Sequence, residues 1–213
     1  LRGEAKELKF TQQSQGMLTD WIVRRFAAAG KSIELDAAQR LIFISGDLMS
    51  RLIPEIDKIA AYAKGERVTV KDVDAVASHI PEAVIFEMTE LISQKKYNST
   101  MSVLAELLSD KNNEPIAMTA MLGLQMRKLY AARLAIEQEL GSKYVMEVCA
   151  IKYDYIASKL MTAARGFTLP QLIRAVELCG EADYRMKSSG QDARELLKEA
   201  VARIAAGESK CTA

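Results

Sequence analysis

Histidine is nearly absent from this sequence: His79 stands alone among 213 residues. It has no cluster of cysteine, aspartate or glutamate at metal-ligand spacing, so a structural or surface role outweighs a catalytic or ligating one. A diiron helical bundle needs two Glu-x-x-His motifs, which one histidine cannot supply. Cys149, Cys179 and Cys211 are an odd set without CxxC spacing, which suits the reduced thiols of a cytoplasmic protein better than disulfides or a zinc site. An excess of either charge is also missing. Lys and Arg number 29 against 28 Asp and Glu, which argues against a polybasic nucleic-acid coat and leaves any DNA contact to local patches. No apolar run reaches the ~18 residues that span a bilayer, and no signal segment opens the chain; the expectation is a cytoplasmic location and no membrane contact. P-loop, GxGxxG, GxSxG and HExxH patterns are all absent, so phosphate cradling, dinucleotide binding and the common hydrolase arrangements have no local support. Neither a catalytic residue nor a cofactor nor a metal is expected.

What remains is dominated by helix formers. Glycine and proline are scarce, at 11 and 4, while 49% of residues are hydrophobic and 27% charged. This is the composition of a globular, all-α protein. The length fits one large domain or two small ones. Leu1 opens the chain, and residues 7–10 read like a strand with no partner strands following. Residues 1–15 are therefore expected to be the remnant of an upstream domain.

Helical periodicity begins near Gly16. Leu18, Trp21, Ile22, Phe26 and Ala29 form one stripe, and Gly30 stops it. At 100° per residue, Arg25 falls near the middle of that stripe and Arg24 points away. Burial of Arg25 requires a carboxylate, and Glu55 on the third helix is the expected partner. A second helix spans about 35–44. A third opens at Asp47, a good N-cap, and repeats Leu48, Leu52, Ile56 and Ile59. Asp47, Arg51, Glu55 and Lys58 run along its flank as a solvated edge. Pro54 deprives the Ser50 carbonyl of its partner and predicts a kink there. Thr69 with Asp72 has the form of a capping box and opens a fourth helix to about Ala77.

The pattern breaks at residues 78–82, where Pro81 pushes its predecessor out of the helical region. A domain boundary is placed here, between a small bundle over 16–77 and a larger one over 83–213. Helices are expected in the second at about 83–93, 99–108, 115–140, 143–150, 153–164, 169–188 and 192–205. Residues 116–140 are apolar around most of the circumference, with Met118, Met121, Leu122, Leu124, Met126, Leu129 and Leu134 pointing many ways, as befits a central helix. Met101, on the helix before it, is likewise expected to fill the core. The basic pairs Arg24-Arg25, Lys95-Lys96 and Arg127-Lys128 make no continuous stripe and are most simply solvated. Arg24, Lys95, Lys96, Arg127 and Lys128 are kept as candidate contacts to DNA or a partner.

Several short runs resemble one family. Gly46-Asp47-Leu48, Leu52, Glu55-Ile56, Lys58-Ile59, Tyr62, Val68-Thr69 and Asp72-Val73 resemble the close of the lid domain in delta subunits of bacterial DNA polymerase III. Residues 85–92 look like the start of that family's collar domain, and residues 125–129 resemble its central helix. Ala182-Asp183, Lys187, Gly190 and Asp192 are similar to its end. The resemblance implies an AAA+-type lid followed by a helical collar, in a non-catalytic member of the five-membered clamp loader. It also implies partner clamp-loader subunits held through the collar. The sliding clamp would be reached only through the N-terminal domain that precedes Leu1, and DNA only indirectly or weakly. Pro54 departs from the family's lid helix. The rival reading from the residues alone is a stand-alone helical DNA-binding regulator or interaction module with a recognition helix near Thr69. Residues 70–76 expose mostly acids, which phosphates would repel.

Overall fold

The computed structural model describes residues 14–208, so the strand expected at 7–10 and the thiol of Cys211 lie outside the described residues. Eleven helices and one two-stranded ladder occur within them, in two compact units. The first takes the described residues to Ile42 with Gly46–Ala77, and the second takes Phe43–Ser45 with everything from Ser78 onward.

The first unit begins with α1 (Gln15–Ala28), whose N-cap Ser14 accepts from the Met17 amide. Gly30 ends it with a left-handed φ of 72°, a conformation that costs glycine nothing. The helices α2 (Leu35–Ser45), α3 (Met49–Tyr62) and α4 (Val70–Val76) follow. Leu18, Ile22, Phe26, Leu41, Leu52, Ile56, Ile59, Val68 and Val73 are all within 1% of fully buried. Each side chain of this size stabilises the unit by about 1.5–3 kcal/mol. Between the helices, β1 (Ser32–Ile33) and β2 (Arg67–Val68) pair in parallel. Lys31 fastens the same junction, donating to the carbonyls of Ala63 and Gly65 at 2.8 and 2.7 Å.

Two expectations for this unit change, those for Asp47 and Glu55. The third helix starts at Met49 with Leu48 at its cap, so Asp47 sits one residue before the cap. Pro54 is carried inside α3, which remains helical on both sides of it; Ser50, whose carbonyl loses its partner, is exposed and open to water. Glu55 belongs with Leu52, Ile56 and Ile59 on the buried face, not on a solvated edge.

The second unit contains α5 (Pro81–Ser93), α6 (Tyr97–Ser109), α7 (Pro115–Glu137), α8 (Ser142–Val148), α9 (Asp154–Ala164), α10 (Leu169–Ser188) and α11 (Ala193–Ala205). Pro81 does not break a helix but begins one, since the first helical position needs no amide hydrogen. Between α4 and α5 the chain is non-helical only from Ala77 to Ile80. The central helix is α7, packed by α5, α8, α9, α10 and α11. Where α7 meets α10, Gly123 faces Cys179; a methyl added at Gly123 would stand 3.4 Å from the Cys179 Cβ. The buried Gln125 side chain donates to Thr89 Oγ1 at 3.3 Å, and Thr89 in turn donates to the Phe86 carbonyl.

Candidate partner interface

A central helix should be apolar all round only if neighbours cover it all round. The buried face of α7 carries Met118, Leu122, Met126, Leu129, Ala132 and Ala135. On its other side Ile116, Ala120, Leu124, Arg127 and Ala131 recur at helical spacing, which places them in one line along the helix. Ile116 is 40% and Leu124 47% exposed, Ala120 and Arg127 are exposed, and Ala131 is half-buried. This stripe is apolar at Ile116, Ala120 and Leu124, basic at Arg127 and apolar again at Ala131. Steps of four, four, three and four residues are those by which one helix seats on another. The high apolar content of residues 116–140 was visible in the sequence, but the even spread of Met118, Met121, Leu124 and Leu134 hid which side would be left uncovered.

The candidate contact residues belong to separate elements. Arg127 belongs to the stripe and Lys128 is half-buried beside it. The Lys128 carbonyl lies 3.9 Å from the Cys149 sulfur. Lys95 and Lys96 are exposed at the turn between α5 and α6, and Arg24 is exposed on α1 in the first unit.

Arg25 does not pair with Glu55. Its guanidinium meets Asp57 Oδ1 at 3.7 Å, with the side chains 43% and 58% exposed, while Glu55 pairs with Lys58 at 2.8 Å. The buried residues of α1 are Leu18, Thr19, Ile22 and Phe26, whereas Trp21 is half-buried. The covered stripe is therefore turned by roughly 40° from one that includes Trp21, and Arg25 moves from its centre to its flank. An exposed pair of this kind contributes about 0–1 kcal/mol.

The buried cation is elsewhere, and no sequence argument identified it. Arg174 on α10 is 7% exposed. It bonds to Glu177 at 3.1 Å, to Glu181 at 2.7 Å and to Glu208 at 3.1 Å. These carboxylates hold its proton even more firmly than usual, Glu181 most of all. Arg203 closes the set from α11 with a 2.6 Å bond to Glu208. Hydrogen bonds from Arg203 and then Arg174 pull the Glu208 carboxyl down to about 2. The only signal for this was Arg174-Glu177-Glu181 on one helix; Glu208 arrives from the far end of another. The network fastens the end of α11 to α10 and leaves no open charge for chemistry. Desolvation raises the Cys149 thiol above its ordinary range and pushes Cys179 up to about 12, so neither is a nucleophile at neutral pH. No group of metal-ligating side chains occurs among the described residues, and no helix there is long and apolar enough to cross a membrane.

Known proteins resemble the chain over most of its length. The model of the DNA polymerase III delta subunit, C-terminal domain, matches residues 82–204, nearly the whole of the second unit. The DNA polymerase III subunit delta of Bacillus subtilis is 27% identical over 92% of this chain and 54% of its own length. A probable DNA polymerase III subunit delta of Aquifex aeolicus is 24% identical over 87% of this chain and 53% of its own. The solved structure of the Bacillus subtilis DNA clamp loader delta protein superimposes with a TM-score of 0.71 at 24% identity, over 92% of this chain and 57% of that one. The chain thus spans about half the length of the relatives it matches, and the all-helical fold is shared.

Proposed function

Because the chain belongs to the family defined by the C-terminal domain of DNA polymerase III delta subunits, we propose that it serves a clamp loader as a non-catalytic assembly component, with the α7 stripe as its partner-binding face. The observation that carries this reading is the exposure of Ile116 and Leu124, with Ala120 between them on the same line, on the helix that organises the second unit. Exposed apolar residues scattered singly need no explanation, whereas a line of them at docking periodicity does. On this reading residues 16–77 are the lid and 83–213 the collar, and the sister collars cover Ile116, Ala120 and Leu124. Arg127, which follows Leu124 on the stripe, meets a partner carboxylate or backbone carbonyl. The protein acts in the cytoplasm, where it contributes to loading the sliding clamp during replication. Clamp contact belongs to a region N-terminal to the lid. DNA contact through Arg24, Lys95, Lys96 or Lys128 is secondary to the contacts with sister subunits.

Size-exclusion chromatography with the cognate clamp-loader subunits tests the stripe. Leu124→Arg puts a charge at the centre of an interface expected to bury on the order of 1,200 Å² or more. It is expected to abolish co-elution at micromolar concentration while leaving thermal unfolding of the chain unchanged, since Leu124 is 47% exposed. Undiminished co-elution of Leu124→Arg and of Ile116→Asp would reject the stripe as the assembly face.

A further inference from the structure

A second apolar surface of the same unit is separate from the α7 stripe. Between α6 and the end of α11 lies a cleft of about 390 Å³ lined by Tyr97, Met101, Ala202, Ala205 and Ala206. The three alanines make a floor of methyl groups, and the 46%-exposed Tyr97 with Met101 makes a wall. Methionine is the apolar side chain that adapts best to an incoming group. Met101, expected in the core, is only half-buried.

Basic residues gather at the Tyr97 end of this cleft. Lys95 and Lys96 immediately precede Tyr97, and the loop after α9 presses against the same turn, since a Cβ on Gly166 would lie 2.5 Å from the Ser93 carbonyl oxygen. Arg165, next to Gly166, is thereby brought to the same end of the unit. Lys95, Lys96 and Arg165 are exposed, and none has an ion pair among the described residues. Along the chain no acid occurs between Glu90 and Glu106, between Asp154 and Glu177, or between Glu199 and Glu208, and Glu90 is paired with Lys159. Glu208 itself is taken up by Arg174 and Arg203. An anionic occupant would complement these charges, and one with a large apolar group would also fill the cleft.

Two classes of anionic macromolecule carry such a group: nucleic acid, through its bases, and an acidic peptide, through a buried side chain. The lining decides between them. Apart from the Tyr97 hydroxyl, every lining side chain is apolar, and a base inserted there would leave its polar edge without partners, a penalty that an aliphatic or phenyl group escapes. We propose that the α6–α11 cleft is a docking site for an acidic peptide segment of a partner protein, which inserts one large apolar side chain between Tyr97 and the alanine floor while its carboxylates meet Lys95, Lys96 and Arg165.

Fluorescence anisotropy on the intact chain tests this with three labelled probes. The first is a peptide with a phenylalanine flanked by four aspartates, the second the same peptide with aspartate for phenylalanine, and the third a thymidine octanucleotide. The phenylalanine peptide is expected to bind with a Kd below about 1 mM, more weakly as salt rises, and at least about tenfold more tightly than either other probe. Ala202→Phe, which fills the cleft from an exposed position, and Lys95→Glu with Lys96→Glu, which reverses the charge at its Tyr97 end, should each weaken it by about fivefold or more. Circular dichroism of both variants should remain that of the parent. Absence of binding at about 1 mM, equal affinity for the all-aspartate peptide, equal or tighter binding of the oligonucleotide, or indifference to both variants would each overturn the proposal.

Discussion

Three glycines show how sharply single positions differ in what they tolerate. At Gly166 a Cβ would fall 2.5 Å from the Ser93 carbonyl oxygen and 2.8 Å from its Cβ, at Gly123 it would reach 3.4 Å from the Cys179 Cβ, and at Gly180 it would meet nothing within 4 Å. In the first case the obstruction is backbone, which cannot rotate away. Gly166→Ala should therefore cost about 1–3 kcal/mol, the usual range for overpacking. Gly123→Ala should cost less, because only ordinary contact distance is involved. Gly180→Ala should be neutral or stabilising by up to about 1 kcal/mol, since alanine is the better helix former. Urea unfolding midpoints of the three variants check the order. A Gly166→Ala midpoint equal to that of the parent would show that the α5–α9 approach is loose, and would remove the geometric basis for placing Arg165 beside Lys95.

At the scale of elements, the short helix α4 depends on its cap. Its seven residues are too few for a helix to persist in water unaided. The amide and hydroxyl of Thr69 both donate to Asp72 Oδ2, at 2.8 and 2.7 Å. Those bonds, the amide first, hold the Asp72 carboxyl below its ordinary 3.8. A carboxyl with a depressed pKa stabilises the folded state above its unfolded value and loses that contribution as the pH falls through the folded one. Asp72→Ala should therefore cost on the order of 1 kcal/mol at pH 7. The gap between variant and parent should close as the pH drops below about 4, which a pH series of thermal unfolding would measure; a gap constant down to pH 2 would assign the loss to something other than the carboxylate.

This cap was legible in the sequence because it is local, and so were most helix limits. The span 169–188 expected for α10 is the span observed, since Thr168 and Gln171 form a reciprocal cap and the apolar period runs cleanly to Ser188. The central helix stops three residues short of Leu140. Glu139 there adopts a φ of 58°, a left-handed end that glycine or asparagine would have signalled and glutamate does not. The β1–β2 pair was invisible, because two residues on each side carry no periodicity and their parallel register depends on how α1 and α3 pack. The Arg25 partner was misassigned because the azimuth of a helix against its core must be known to within about 40°, which one stripe of apolar letters does not fix. The α7 stripe itself was legible only as apolar content. Periodicity tells which residues share a face, but only packing tells which face is covered.

At the scale of the whole molecule, the unit boundary does not coincide with a cut in the sequence. The last turn of α2 belongs to the second unit, although the rest of that helix lies in the first. The Phe43 ring packs edge-on against Phe86 at 5.0 Å and against Tyr155 at 6.4 Å, and the Lys159 ammonium sits 5.4 Å above it. The Ile80 amide donates to the Ile44 carbonyl at 2.7 Å and the Ser45 hydroxyl to the Ser78 carbonyl at 3.0 Å. A break within residues 78–82, the place that proline chemistry and helix spacing recommend, would strip the second unit of a phenylalanine that is only 8% exposed. Phe43→Ala should thus destabilise the second unit by about 3–5 kcal/mol, the usual range for emptying a buried phenylalanine site, even though the residue lies more than thirty positions before Ser78, where the rest of that unit begins. Hydrogen exchange resolved along the chain measures this directly. Loss of protection in α5 and α9, with α1 and α3 near their parent values, is the expected pattern. A fragment beginning at Ser78 should already show that loss, and adding residues 43–45 in trans should not restore it, because three residues cannot hold a helical turn on their own. Equal protection of α5 in the fragment and in the full chain would mean that Phe86 and Tyr155 close over the site without Phe43, and that the second unit ends where the sequence break suggests.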